Sequence, residues 1–310
     1  MIRVFLFHRV SDVRESFWDP MDPALFKKCI QKITKKYHTI LLEDFIADPA
    51  AFKDSKNLAA ITFDDGYKDN ILNAAPILKE YNCPASFYIT TECIELNKPT
   101  WTHKIELLFQ GTVKRKATLN DKMLPDGLRN IFWDSGLLRM EIANKMTAFL
   151  MRIPHVDRSR IIKQLMKEFN DVAVPSYMMN WNDLNELKNA GHYIGSHGVT
   201  HSMLGAIEDE HEIAWELNLS KQIISEKTGT DPITFCYPVG SYDERVLKLM
   251  KESGYKAGLI VNAKNFYSEK MSFYQIPRVE LYNEGWLKTR LRINGVIEKI
   301  KTITNYHAWV

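Results

Sequence analysis

The chain has 310 residues, 45% of them hydrophobic and 25% charged, with a formal net charge of +3 at pH 7. That length can bury a sizeable core in one α/β barrel or two ordinary domains, and so small a positive excess argues against nucleic acid as a partner. No apolar run approaches the roughly 20 residues of a membrane span. Cys29, Cys83, Cys93 and Cys236 lack the C-x-x-C spacing of a zinc knuckle or redox pair. The apolar N-terminal run is too short for the core of a signal peptide, so the cytoplasm is the expected compartment.

In chain order, strand and helix signals alternate. Residues 2–8 form a short apolar run with β-branched side chains, the mark of a strand, ending at His8. A helical period follows, with Asp22 as N-cap and Pro23 at the first helical position. Leu58–Phe63 reads as a buried parallel strand that stops at Asp64-Asp65-Gly66. A helix over 68–81 and a strand over 85–90 come next. Between 97 and 179 the rhythm breaks. Helical pieces at 104–109, 140–151 and 158–169, with no strand–helix unit, predict a mostly helical insertion within a single domain spanning 1–310. The rhythm resumes with a helix at 182–190, a strand at 193–196, a helix at 209–228, a strand at 234–237 and a helix at 244–253. Strands at 256–261 and 274–276 and a helix after Glu284 complete the chain. Such alternation predicts a parallel sheet closed, or nearly closed, into a barrel. Chemistry in that fold gathers at the C-terminal strand ends. His8, Asp64, Asp65, His197 and Tyr237 all fall at or just past such an end.

Adjacent carboxylates at a strand end, Asp64 and Asp65, project in different directions, so one can bind a cation while the other faces a substrate. Asp-Asp-Gly is also ordinary turn chemistry. His197 and His201, four residues apart, offer two imidazoles to one ion, and Gly195 and Gly198 let the backbone come close. With Asp65 they form a set of two histidines and one carboxylate that leaves positions open for water and a substrate oxygen. Zinc suits this set, and cobalt, nickel and manganese are alternatives. In Phe235-Cys236-Tyr237-Pro238-Val239-Gly240, Pro238 has no N–H, so the amide of Tyr237 is the expected donor to an oxyanion. A plain strand-ending turn is the competing reading.

These segments together, Thr62-Phe63-Asp64-Asp65-Gly66-Tyr67, Gly195-Ser196-His197 with His201, and Phe235 to Gly240, resemble the NodB-homology polysaccharide deacetylases (carbohydrate esterase family four). The resemblance spans residues 1–95 and 181–280, leaving the insertion outside. It implies a distorted (β/α) barrel of about seven strands and metal-dependent removal of an N- or O-acetyl group from a sugar. It also implies Asp64 as general base, Asp65, His197 and His201 as metal ligands, the Tyr237 N–H on the oxyanion, and Tyr67, Pro238 and Gly240 against the substrate. Two departures stand out. Cys236 occupies the position where many members carry an arginine that orients the base; Arg278, just after a late strand, either reaches the same carboxylate or is a surface arginine. The usual C-terminal Leu-x-His, source of the general acid, is absent, but Leu6-Phe7-His8 has that pattern at the N-terminus. A circularly permuted subgroup, similar to the deacetylases of poly-N-acetylglucosamine, uses its first strand this way, which makes His8 the expected acid.

The expected substrate is an acetylated or formylated amino sugar of a surface-polysaccharide precursor, as an oligosaccharide, nucleotide sugar or lipid-linked saccharide at the inner membrane face. Trp101 and Trp181 are candidate stacking platforms for a sugar ring, although isolated aromatics are more often core. Phe132-Trp133 and Leu137-Leu138 suggest a lid or peripheral membrane contact, against the reading of a plain helical subdomain. Two other classes compete: a non-catalytic glycan-binding barrel, and a hydrolase of a non-sugar amide.

Overall fold

Seven parallel strands close on themselves because the first strand has partners on both edges. In the computed structural model, which describes residues 2–261 and 271–297, the strands are β1 Ile2–Phe7, β2 His38–Thr39, β3 Leu58–Phe63, β4 Ala85–Ile89, β5 Lys116–Thr118, β6 Asn130–Phe132, β7 Tyr193–Ser196, β8 Thr234–Cys236, β9 Ala257–Val261 and β10 Ile276–Glu280. β1 pairs in parallel with β10 and with β3, which joins β1-β10-β9-β8-β7-β4-β3 into a closed barrel. The short β2 meets the first two residues of β3, and β4 meets the last three. β1, β3 and β4 are buried along their whole length, as expected of strands with barrel interior on one side and helices on the other. The expected distorted barrel of about seven strands is therefore the fold.

Helix Pro23–Lys36 starts where its sequence says it should, with the Asp22 carboxylate accepting from the amides of Ala24 and Leu25. Its Phe26 packs edge-on against Phe7 at the end of β1, and Phe63 stacks on Phe87 of β4. This aromatic layer lies directly beneath the strand ends that carry Asp64 and His8.

Three local differences from the sequence reading matter. The late strand is Ile276–Glu280, and Tyr274 lies in a preceding 3₁₀ turn. Arg278 and Glu280 interrupt the apolar pattern and so read as loop, yet Arg278 is fully buried within the barrel. The helix expected over 68–81 opens as a π-helical turn, Asn70–Ala74, before becoming α-helical at Ala75–Glu80. Wide turns of this kind are frequent at functional sites, and here Asn70 turns inward to donate to the His8 carbonyl at 2.7 Å. Finally, helix Thr91–Leu96 follows β4 where no helix was expected.

In the segment 97–179, helices Trp101–Gly111, Gly136–Leu150 and His155–Glu168 surround a core of Phe109, Trp133 and Phe169. β5 and β6 pair antiparallel there; each has one buried residue between two exposed ones, too short a pattern to see in sequence. Trp133 is inside that core, whereas Phe132 and Leu137 are exposed, so Phe132-Trp133 does not form a surface pair. No helix among the described residues is long and apolar enough to cross a membrane.

Candidate active site

The amide of Asp64 donates to the Phe7 carbonyl at 3.1 Å, so Asp64 and His8 leave neighbouring strands side by side. Beyond that point the backbone is strained. Outside glycine, positive φ occurs at Asn57, Asn82 and Asn97, which asparagine tolerates, and at Asp65 (φ +74°), His201 (+59°) and Val239 (+54°). Those last three belong to the loops that follow β3, β7 and β8. Residues held in sparsely populated conformations concentrate where geometry is over-determined by function.

Asp65, His197 and His201 are all buried, and one ligand atom from each lies within 4.8 Å of the others. The Asp65 Oδ1 is 3.5 Å from His197 Nε2 and 3.3 Å from His201 Nε2. His197 Nδ1 lies 2.8 Å from the Cys236 carbonyl. A carbonyl only accepts, so Nδ1 carries the proton and Nε2 presents a lone pair toward Asp65. Asp65 Oδ1 and His201 Nδ1 are buried without a hydrogen-bond partner. An orphaned carboxylate oxygen facing an imidazole lone pair is a costly arrangement for side chains alone. A cation removes that cost, so these residues fit a divalent ion. Burial pushes the His197 imidazole down to about 4 against the pull of Asp64, which keeps it neutral and ready to bind metal. Burial would raise the Asp65 carboxyl, but His201, with His8 and His197, holds it well below the usual carboxylate range.

Asp64 is clamped from across the barrel. Arg278 Nη1 donates to its Oδ1 and Nη2 to its Oδ2, each at 2.7 Å, with both side chains buried. Two-pronged pairing of this kind fixes the carboxylate plane as well as its charge. Burial alone would raise the Asp64 carboxyl; Arg278, then His197, hold it below the ordinary value of 3.8. Arg278 is thus no surface arginine. It reaches the carboxylate from β10, whereas Cys236, on β8, serves the site through its backbone carbonyl.

The loop bearing both histidines is tied down from outside. Glu216, buried in helix Glu210–Thr228, accepts from the amides of Val199 at 2.6 Å and Thr200 at 3.1 Å. Gly198, at φ +83°, permits this approach: a Cβ there would lie 2.9 Å from Glu216 Oε2. From the other side, the amides of Thr91 and Glu92 at the start of helix Thr91–Leu96 donate to the carbonyls of Gly198 and Val199.

His8 is partly open, its side chain 22% exposed, with Nδ1 3.5 Å from Glu280 Oε1 and the ring edge-on to Trp18. Glu280 ends β10, paired in register with Leu6, and sequence reasoning missed it because an isolated acid after an unrecognised strand carries no signal.

The expected oxyanion donor is not available. The amide of Tyr237 donates to the Leu259 carbonyl at 3.1 Å as part of the β8–β9 ladder, and its side chain is buried with the hydroxyl on the Tyr274 carbonyl. In the turn that follows, Gly240 donates to Tyr237 and Ser241 to Pro238. That leaves the Val239 amide, on a residue 49% exposed, with no acceptor among the described residues.

The residues expected against the substrate separate. Pro238 is buried and Gly240 half-buried in this same turn. Tyr67 is fully buried, its hydroxyl committed to Thr100 and His103 at 3.3 and 3.0 Å. Trp101 is buried too, and its Nε1 donates to the His201 carbonyl at 2.8 Å, so it holds the histidine loop instead of offering a stacking face. Trp181 donates to Glu95 at 2.9 Å from the start of its own helix and packs against the barrel core.

A family model described as polysaccharide deacetylase matches residues 52–131 and 140–258, more than half of the chain. No protein of curated function matches it. Among solved structures, the chain is similar to the Streptococcus pyogenes deacetylase PplD in complex with acetate, with TM-score 0.63 and 16% identity over 94% of this chain and 97% of that one. IcaB from Ammonifex degensii gives 0.60 and 14% identity over 94% and 96%. The BpsB deacetylase domain from Bordetella bronchiseptica gives 0.55 and 19% over 90% and 95%. At such identities these likenesses speak for the fold.

Proposed function

The chain belongs to the polysaccharide deacetylase family, hydrolases of carbon–nitrogen bonds other than peptide bonds, and on that premise we propose that it removes the N-acetyl group of an amino sugar in a surface-polysaccharide precursor, nucleotide- or lipid-linked, with the help of one divalent cation. N-formyl and O-acetyl groups are the alternative targets. One observation carries the reading: a carboxylate clamped by Arg278 stands beside three converging metal-ligand side chains at the barrel mouth, two of which hold a buried polar atom without a partner.

Asp65, His197 and His201 would hold the cation, with zinc the first candidate, and the ion would supply Lewis-acid polarisation of the acyl oxygen and a lowered pKa for a water. Asp64 is ionised throughout the working range and takes the proton of the water whose oxygen bonds to the acyl carbon. Arg278 keeps that carboxylate in one orientation. As the C–N bond breaks, the nitrogen takes its proton from His8, whose Nδ1 is steadied by Glu280 and whose backbone carbonyl is held by Asn70. The oxyanion donor is the amide of Val239 in place of that of Tyr237; an aimed amide of this sort is worth about 3–4 kcal/mol.

The test is acetate release from N-acetylglucosamine oligomers and from a nucleotide-linked N-acetylhexosamine, with zinc and with chelator. Stoichiometric acetate and free amine in zinc alone are expected. A protein that binds these sugars with no acetate released under either condition would instead be a glycan-binding barrel.

A further inference from the structure

A second cavity, about 360 Å³ in volume, lies between helix Thr91–Leu96, the start of helix Trp101–Gly111 and helix His155–Glu168. Its walls carry Lys98, Lys104, Arg158 and Lys163 together with His155, against the single acid Glu92. The cations are poorly matched by the protein itself. Arg158 is 2% exposed yet makes no ion pair among the described residues; its Nη2 reaches the hydroxyls of Ser202 at 2.7 Å and Thr200 at 3.4 Å and the His155 ring nitrogen Nδ1 at 3.4 Å. The Lys104 side chain is half-buried and has neither a hydrogen bond nor an ion pair among the described residues, and the Lys98 ammonium reaches only the Val174 carbonyl at 3.4 Å. Burial lowers the pKa of Lys104, and it brings Arg158 down to about 10 against the pull of Glu216, Glu212 and Glu92, none of which is in ion-pair contact with it.

Buried cations are normally paired, because an uncompensated charge out of water is expensive. Here one buried cation, Arg158, and the half-buried Lys98 and Lys104, with Lys163 at the exposed rim, face one space with room for a ligand larger than a water. A carboxylate brings one charge and two oxygens in a plane. A phosphate monoester brings close to two charges and three terminal oxygens directed apart, which suits an arginine fork and lysines arriving from different elements. We propose that this cavity binds a phosphate group, as a monoester or diphosphate, at a site separate from Asp65, His197 and His201.

The site is coupled to the histidine loop through its own walls. Thr200, which lines the cavity, lies between the two histidines in sequence, and its hydroxyl is bonded to Glu216 and Ser202. Trp101, another wall residue, sits 4.8 Å from the Arg158 guanidinium and donates to the His201 carbonyl. A group bound at Arg158 therefore touches the residues that brace His201. The inference does not depend on the deacetylase reading, since phosphate binding stands or falls without any acetyl transfer.

The experiment is calorimetric titration of the full chain with inorganic phosphate and with N-acetylglucosamine 1-phosphate, at fixed ionic strength and in EDTA, which keeps the anion away from any metal at His197 and His201. One saturable site per chain is expected, weakened at least about tenfold in Lys104→Gln and in Lys163→Glu, the latter an exposed position whose change leaves the urea midpoint unmoved. Phosphate should also slow amide exchange at Val199 and Thr200 by about threefold or more. Tighter binding of the sugar phosphate assigns the group to the substrate. Equal binding, with sedimentation on phosphatidate vesicles that Lys163→Glu abolishes, assigns it to a lipid headgroup. Binding no stronger than that of chloride, or wild-type affinity in both variants, overturns the proposal.

Discussion

Two buried ionic clusters lie close together in this molecule, and they differ in how completely they are paired. Behind the barrel mouth, Arg9 donates to Glu15 at 2.5 Å and to Asp69 at 3.0 Å, and His103 uses both ring nitrogens, on Glu15 at 2.7 Å and on the Tyr67 hydroxyl at 3.0 Å. The Arg9 guanidinium also lies over the faces of Tyr67 and Tyr177. At the mouth, by contrast, Asp65 Oδ1 and His201 Nδ1 have no partners, and both residues sit in left-handed backbone. Burial is similar in the two clusters, with only Asp69 half-buried; satisfaction is not. A complete network specifies a scaffold, whereas orphaned ligand atoms on strained backbone mark a place kept ready for something else.

That contrast can be broken by substitution. Asp64→Asn is expected to lower turnover by about 10²–10⁴-fold with the bound-metal content intact, in a chain less stable for the unpaired Arg278 it leaves; wild-type acetate release in that variant removes Asp64 from the chemistry. Glu15→Gln, in the paired cluster, removes one of the two carboxylates that pair with Arg9 and should cost up to about 3–5 kcal/mol of stability. Its kcat, measured well below the unfolding temperature, should equal that of wild type, and a loss matching that of Asp64→Asn would erase the distinction between the clusters. Trp101→Phe deletes the donor to the His201 carbonyl and should weaken metal affinity about 10–100-fold with kcat preserved at saturating metal. An unchanged metal titration would mean that the Trp101 contact is packing only.

The smallest effect is on pH dependence. His197 titrates near 4 in the folded protein against an ordinary 6.5, so the folded state resists a proton that the unfolded chain accepts. In chelator, its contribution should be full above pH 6.5 and disappear as the pH falls toward 4. Asp64, held below its ordinary 3.8, adds a further loss only at lower pH. Urea midpoints of wild type and His197→Gln should therefore converge as the pH drops from 6.5 to 4. Parallel curves across that range would show that burial does not depress the imidazole.

The sequence carried the barrel and the convergence at its mouth well, for definite reasons. Leu58–Phe63 and Tyr193–Ser196 are bounded by polar residues and glycine, so their limits coincide with β3 and β7. The spacing of His197 and His201 and the position of Asp65 after a strand made their meeting readable. What escaped depended on pairing that no local pattern encodes. Arg278 and Glu280 looked like loop because a charged residue inside a barrel makes sense only once its partner across the interior is known. Tyr237 looked like a free donor because its amide is consumed by Leu259, a ladder partner more than 20 residues away. Val239 gave no signal at all, since a β-branched residue is the last expected at positive φ. Trp101 illustrates the opposite error: an aromatic near the site read as a platform is a brace.

The claim beneath the whole account is that Asp65, His197 and His201 hold one divalent ion that the reaction requires. Metal analysis of the purified chain, paired with acetate release before and after chelation, tests it most directly. The account predicts about one ion per chain, lost in His197→Ala and His201→Ala, with activity abolished by chelator and restored by zinc. Full acetate release from a chain stripped of metal, or an ion that remains bound when both histidines are replaced, would contradict it.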